Sequence, residues 1–203
     1  MGRWEPNARL RLVRAAIDLF AEQGYGSTTV PEIAERAALT RATFFRHFPD
    51  KREVLFAGQQ VHTALLADGI AAAPRTATPV EAVAGALDAL TSTFTPDQRE
   101  FGPRLRAVIA GTPELQERAA FKRAGLAAAT AAALRERGVP DAAACLAAEM
   151  GVHAFYRAFD RWLEAPYRET FPALARHALD ELHAAAAALV SGPPSAGPGR
   201  PAP

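Results

Sequence analysis

The sequence predicts an all-α protein, and three observations carry that prediction. Apolar residues recur at three- and four-residue spacings along most of the 203-residue chain. Threonine–proline pairs and glycines punctuate these runs at helical lengths, as helix starts and stops do. No stretch alternates apolar and polar residues as a half-buried strand would, and no internal repeat is present.

The elements follow in order. Leu10, Val13, Ile17 and Phe20 share one helical face and predict a first helix from near Pro6 to Gln23, with Gly24 as its stop. Thr29 is an N-cap, Pro31 suits an opening turn, and Glu32 sets a carboxylate at the positive helix end. Ile33, Ala34 and Ala37 give this second, short helix a narrow apolar face. Ala38-Leu39 is a turn, and Thr40 caps a third helix from about Arg41 to Phe48. Phe44 and Phe48, four apart, point inward together, so Ala42 and Arg46 face outward, flanked by Arg41, Thr43 and Phe45. Two short helices joined by a tight turn, the second with a basic small-residue face, read as a helix-turn-helix that fits a DNA major groove.

Pro49 ends that helix, and Asp50 can cap a fourth running to about Ala72, the covalent bridge to the rest of the chain. Thr78-Pro79 opens a fifth, to about Phe94. Pro96 and Gly102-Pro103 predict short pieces up to Gly111. Thr112-Pro113-Glu114 starts a long helix to about Arg137, and Gly138-Val139-Pro140 separates it from one spanning about Asp141 to Glu164. After the Ala165-Pro166 break comes a last helix from near Thr170 to Val190. The Pro/Gly-rich tail from Ser191 is predicted to be disordered. The expected division is therefore a DNA-binding unit over 1–50, a helical unit over 51–190 with 51–72 as the bridging helix, and a tail over 191–203.

Composition is that of a globular chain, 49% apolar and 22% charged. A net charge of +1 does not by itself point to nucleic acid, but residues 36–52 hold five Lys/Arg against Asp50 alone. Cys145, the single cysteine, excludes an intrachain disulfide and is expected as a small buried residue in a reducing cytoplasm. No run approaches a transmembrane length, and the N-terminus lacks a signal-peptide core, so a soluble intracellular protein is expected.

Residues from about Arg9 to Leu55 resemble the DNA-binding domain of the tetracycline-repressor (TetR) family of bacterial regulators. The likeness lies in Ala16, Phe20, Gly24-Tyr25, Thr28-Thr29-Val30, Ile33-Ala34, Leu39-Thr40, the run Thr43-Phe44-Phe45-Arg46-His47-Phe48, and Lys51. Two positions depart from the family pattern: Ala38 stands where glycine is usual in the turn, and Phe45 where tyrosine is. The resemblance implies a homodimer on a pseudo-palindromic operator, with Phe45, His47 and Lys51 at family DNA-contact positions. From residue chemistry, Arg41 and Arg46 suit guanine edges, Ala42 and Thr43 suit small apolar or hydroxyl contacts, and Thr28, Thr29, Thr40, His47 and Lys51 suit phosphates.

The family likeness also implies a small-molecule effector among the middle helices. Candidate liners are His62, Phe94, Phe101, Arg106, Phe121, Met150, His153 and Tyr156, whose bias suggests a hydrophobic or aromatic ligand. Phe155, Phe159 and Trp162, with Leu174, Ala178, Leu182, Ala185 and Leu189, form stripes expected to pack against a second copy. Two other classes stay open: a helical ligand- or protein-binding module that does not bind DNA, and a metal-dependent helical-bundle enzyme. Glu149/His153 and Asp180/His183 have metal-ligand spacing, but the repeated carboxylate–histidine set of a di-metal bundle is missing, as are nucleophile and phosphate-loop motifs. The expectation is a non-enzyme without metal or cofactor.

Overall fold

The computed structural model describes residues 7–164 and 169–191. Among these are nine α-helices and no strand: α1 (Ala8–Gln23), α2 (Val30–Arg36), α3 (Arg41–His47), α4 (Gln59–Ala72), α5 (Pro79–Thr91), α6 (Pro96–Ala110), α7 (Pro113–Glu136), α8 (Asp141–Leu163) and α9 (Phe171–Ser191). The all-α reading holds. Pro6, the Ala165-Pro166 break and the tail beyond Ser191 lie outside the described residues.

Local chemistry sets most of the starts. Thr29, Thr78 and Thr95 each form a capping box, the side chain accepting from the third helical N–H while Glu32, Glu81 or Gln98 accepts from the cap's own N–H at 2.7–2.8 Å. Thr40 accepts from Thr43 N–H at 3.1 Å. Thr112 opens α7 by position alone, its side chain making no cap bond.

Two apolar cores result. One joins Leu12, Ile17 and Phe20 of α1 to Ile33, Phe44, Phe48, Val54 and Leu55, and it also takes in Val108 of α6 and Leu115 of α7. The other is built from α4, α5, α7, α8 and α9. The first core thus draws residues from beyond position 100, and α7 serves both.

Three elements differ from the sequence prediction. The stretch after Asp50 is not one helix: a 3-10 turn, Glu53–Phe56, precedes α4. Asp50 does cap it, Oδ1 accepting from the N–H groups of Arg52 at 2.8 Å and Glu53 at 3.0 Å. The interruption has a packing cause. Val54 and Leu55 are buried in the first core, Leu66 and Ile70 in the second, and the chain changes partner between them. Residues 96–110, expected as fragments, are one helix with Pro103 inside it. Gly102 is not a break but a close approach: a Cβ there would lie 2.3 Å from Leu163 Cδ2. Cys145 is exposed rather than buried, its Sγ accepting from Arg135 Nη2 at 3.2 Å.

The dimer-stripe residues also need correction. Phe155, Trp162, Leu174 and Ala178 are buried inside the chain itself, and Phe159 and Leu182 pack partly against the same core. The stripes of α8 and α9 face one another. Ala185 and Leu189 are exposed, Leu189 at 88%.

The α2–α3 turn carries a measurable strain. Leu39 N–H reaches Ala34 O and Ala38 N–H reaches Glu35 O, both at 2.8 Å, a Schellman closure that demands a left-handed residue at Ala38 (φ 51°). A Cβ is costly there. Ala38→Gly should therefore raise stability by about 0.5–1 kcal/mol, net of glycine's greater unfolded-state entropy, read as a shift of the urea midpoint at constant m-value.

Candidate nucleic-acid interface

The third helix is held by its inner face and offers its outer one. Phe44 and Phe48 are 0% and 2% exposed, with ring centroids 5.6 Å apart. Arg41, Ala42, Phe45 and Arg46 are exposed on the other side. Phe45 stands edge-on to Phe44 and carries the Arg41 guanidinium 5.5 Å from its centroid. Thr43 is half-buried, its hydroxyl 3.0 Å from that of Thr40.

The charges of residues 36–52 are mostly spent inside the protein. Arg36 grips Glu22 through two bonds of 3.0 and 2.8 Å. Arg52 pairs with Asp50 and Glu114. Lys51 turns inward: its ammonium donates to the carbonyls of Tyr25 at 2.7 Å and Thr28 at 2.9 Å and lies 4.3 Å from the Tyr25 ring centroid. Of the five cations, Arg41 and Arg46 have no ion-pair or hydrogen-bond partner among the described residues.

Several expected phosphate contacts change accordingly. Thr28 is 1% exposed and its hydroxyl donates to Gly24 O at 2.8 Å, so it fixes the loop and does not reach the surface. Lys51 is a strut holding that same loop, not an outward charge. Thr29 and Thr40 are exposed but occupied as helix caps. His47 is half-buried with Nε2 unpartnered, and burial, aided by Arg46 and Arg9, holds its pKa below the ordinary value. A neutral imidazole brings no charge to a phosphate. The sequence had no sign of two further anchors: Arg9 donates to the Ala57 carbonyl and Arg11 to those of Ala37 and Ala38, at the negative end of α2.

The eight candidate effector residues do not converge on one place. His62 packs against Phe94 (5.3 Å between centroids) and Phe155 (6.0 Å), and burial alone pushes its pKa down to about 4. Tyr156 lies beside Phe155 under the Arg123 guanidinium, and Met150 packs on the same core. Phe101, however, belongs to the first core, and Arg106 is exposed and paired with Asp160. Phe121 is 66% exposed and His153 is exposed. An open cleft of about 510 Å³ lies where α5 and α8 end and α6 and α9 begin, lined chiefly by Phe94, Arg99, Trp162 and Phe171. Only Phe94 among the eight reaches it. Among the described residues no three His, Cys, Asp or Glu gather as a metal set, and no helix is long and apolar enough to cross a membrane.

Residues 12–57, the helix-turn-helix and its supporting helix, match the family model of bacterial regulatory proteins, tetR family. This stretch is thus a TetR-type DNA-binding domain. The TcmR transcriptional regulator of Streptomyces glaucescens is 40% identical over 83 residues, 40% of this chain and 36% of that protein. The transcriptional activator FasR of Mycolicibacterium smegmatis is 36% identical over 70 residues, 34% of this chain and 32% of its own. The match thus spans about a third of either relative. Thermus thermophilus FadR, a TetR-family transcriptional repressor solved with lauroyl-CoA, is similar across both units: 25% identity, 86% of this chain, 93% of that one, TM-score 0.54. As in that TetR-family protein, a helix-turn-helix precedes a larger helical domain.

Proposed function

We propose that the chain is a transcription regulator that binds a pseudo-palindromic operator as a homodimer and releases it when a small molecule occupies the helical domain. The observation that carries this is the outward face of α3: two arginines without ion-pair partners among the described residues, beside Ala42 and Phe45, on a helix pinned by Phe44 and Phe48. Guanidinium groups pair bidentately with guanine, and a neighbouring methyl or ring suits thymine. Arg41 and Arg46 are the base readers in this reading, with Phe45 and the cap region of Thr29 and Thr40 along the backbone. Two α3 helices must sit about 34–36 Å apart to meet successive major grooves, which a dimer supplies. The outer faces of α8 and α9, with Leu146 at 59% exposure and Ala184, Ala185, Ala188 and Leu189, are the surface for the second copy.

Repression follows if the dimer covers a promoter, although relatives include both an activator and a repressor. A gel shift with DNA flanking the chain's own gene tests the core of the reading. A monomer at micromolar concentration that ignores every palindrome there would sink it. Within a positive result, Arg46→Ala should cost about 1–3 kcal/mol of operator affinity and relax preference at a single base pair. Equal loss on all sequences would instead make Arg46 a phosphate contact.

A further inference from the structure

Phe45 leaves 45% of its surface in water on the outer face of α3. Its ring is nevertheless anchored. It stands edge-on to Phe44, with centroids 5.5 Å apart at 81°, and Phe44 is wholly buried. Residues four apart on a helix share a face, and their side chains lean toward its N-terminus. The Phe45 ring therefore leans back over the first turn of α3, where the Arg41 guanidinium lies 5.5 Å from its centroid. That separation is within the range of a cation–π contact. Arg41 has no ion-pair or hydrogen-bond partner among the described residues, so this ring is the neighbour that holds its head. The other end of the side chain is fixed too. Arg41 is the first residue of α3, and Thr40 caps that turn by accepting from Thr43 N–H at 3.1 Å.

Recognition helices meet base edges chiefly through their N-terminal residues, which is where Arg41 stands. A surface arginine samples many rotamers, and bidentate pairing with a guanine edge needs its flat head in one plane. A ring that already holds the head reduces the ordering that DNA binding must supply. The negative face of a phenylalanine or tyrosine ring can do this, whereas an aliphatic side chain has no such face. Phe45 has no hydroxyl to offer a phosphate, so its part in specificity runs through what its ring holds. Arg46 makes no cation–π contact among the described residues, so the two arginines differ in how they are held.

We infer that Phe45 is a positioning residue for Arg41, presetting its guanidinium for one guanine of each operator half-site, while Arg46 reads its base unaided. The inference deepens the regulator reading above and rests on it, and its test separates the two. One readout needs no DNA: in the free protein the Phe45 ring should shift the Arg41 δ-methylene protons upfield in the NMR spectrum. In Phe45→Leu they should return to open-chain positions. The other readout is anisotropy of labelled operator and of its single-base-pair variants.

Arg41→Ala identifies the guanine concerned, as the position whose replacement no longer lowers affinity. In wild type that replacement should cost about tenfold or more. Phe45→Leu should weaken operator binding about fivefold and shrink that one penalty by the same factor, leaving the others within about twofold. Phe45→Tyr, which keeps the ring face, should restore both. In an Arg41→Ala background, Phe45→Leu should change affinity by no more than about twofold, because the double-mutant cycle isolates the coupling between the pair. A Phe45→Leu loss that is equal at every base pair, or undiminished in the Arg41→Ala background, overturns the inference, since the ring would then act on the helix or the DNA backbone. Unshifted δ-protons in wild type, or an Arg41→Ala variant that keeps every base-pair penalty, overturn it as well. A wild-type protein that shows the ring shift but binds no operator falls instead on the regulator reading and takes the positioning role with it.

Discussion

Phe44→Ala is expected to unfold the helix-turn-helix and abolish operator binding while the larger helical core stays folded. Phe44 is fully buried and touches Phe45 and Phe48 at centroid distances of 5.5 and 5.6 Å. Truncating a buried phenylalanine costs about 3–5 kcal/mol, the transfer of the ring plus the cavity it leaves. The supporting elements cannot absorb that loss. Both α2 and α3 are seven residues long, well below the length at which a helix holds itself together in water. Their persistence depends on the shared core, and a domain's whole stability is only about 5–15 kcal/mol. The second core does not include Phe44, so denaturation should split into two steps, the first at much lower urea. Circular dichroism should retain most of the helical signal where gel shift shows no complex. A loss below about 1 kcal/mol would mean that α3 is anchored some other way.

The contrast between Phe44 and its surroundings shows what the sequence made legible. Capping and periodicity are local, so Thr29 and Thr78 marked their helices, and the Phe44/Phe48 spacing gave the inner face of α3. Amphipathicity says that a face is covered but not by what. The α8 and α9 stripes were therefore assigned to a second copy, when Trp162, Leu174 and Ala178 cover one another within the chain. Gly102-Pro103 reads as a break unless the tight fit to Leu163 is known, and that fit joins residues 61 positions apart. Charge misled in the same way. Lys51 counts as a surface cation until the Tyr25 and Thr28 carbonyls are brought to it, and Thr28 counts as a free hydroxyl until Gly24 O closes on it. Nothing local marked Arg99 or Phe171 as neighbours across the open cleft.

Glu53→Gln is expected to loosen the DNA-binding unit from the helical domain, costing about 1–3 kcal/mol, after discounting for partial exposure, and weakening operator binding about tenfold. Glu53 sits in the 3-10 turn with 16% of its side chain exposed, and its two oxygens take different cations from α7. Oε1 accepts from Arg118 Nε at 2.6 Å and Oε2 from Lys122 Nζ at 2.8 Å. One turn before Arg118, Glu114 receives Tyr25 Oη at 3.4 Å and faces Arg52 at 3.5 Å. Glu114, Arg118 and Lys122 recur every four residues, so a single edge of α7 grips the segment that follows the recognition helix. A glutamine cannot satisfy both cations and leaves charge in a partly buried place. The acid limb of stability offers a second reading of the same bond. Burial pushes the Glu53 carboxyl up, but hydrogen bonds from Lys122 and Arg118 outweigh it and hold the pKa below the ordinary 4.5. A group depressed on folding stabilises fully above its unfolded pKa and loses that contribution as pH falls through the folded one. Wild type should therefore be flat in this contribution from neutral pH down to about 4.5 and weaken below it. In Glu53→Gln that part of the acid limb should disappear. If the variant retained the full acid limb and wild-type operator affinity, the joint would be held by apolar packing in the first core, through Val108 of α6 and Leu115 of α7, and not by the ion pairs.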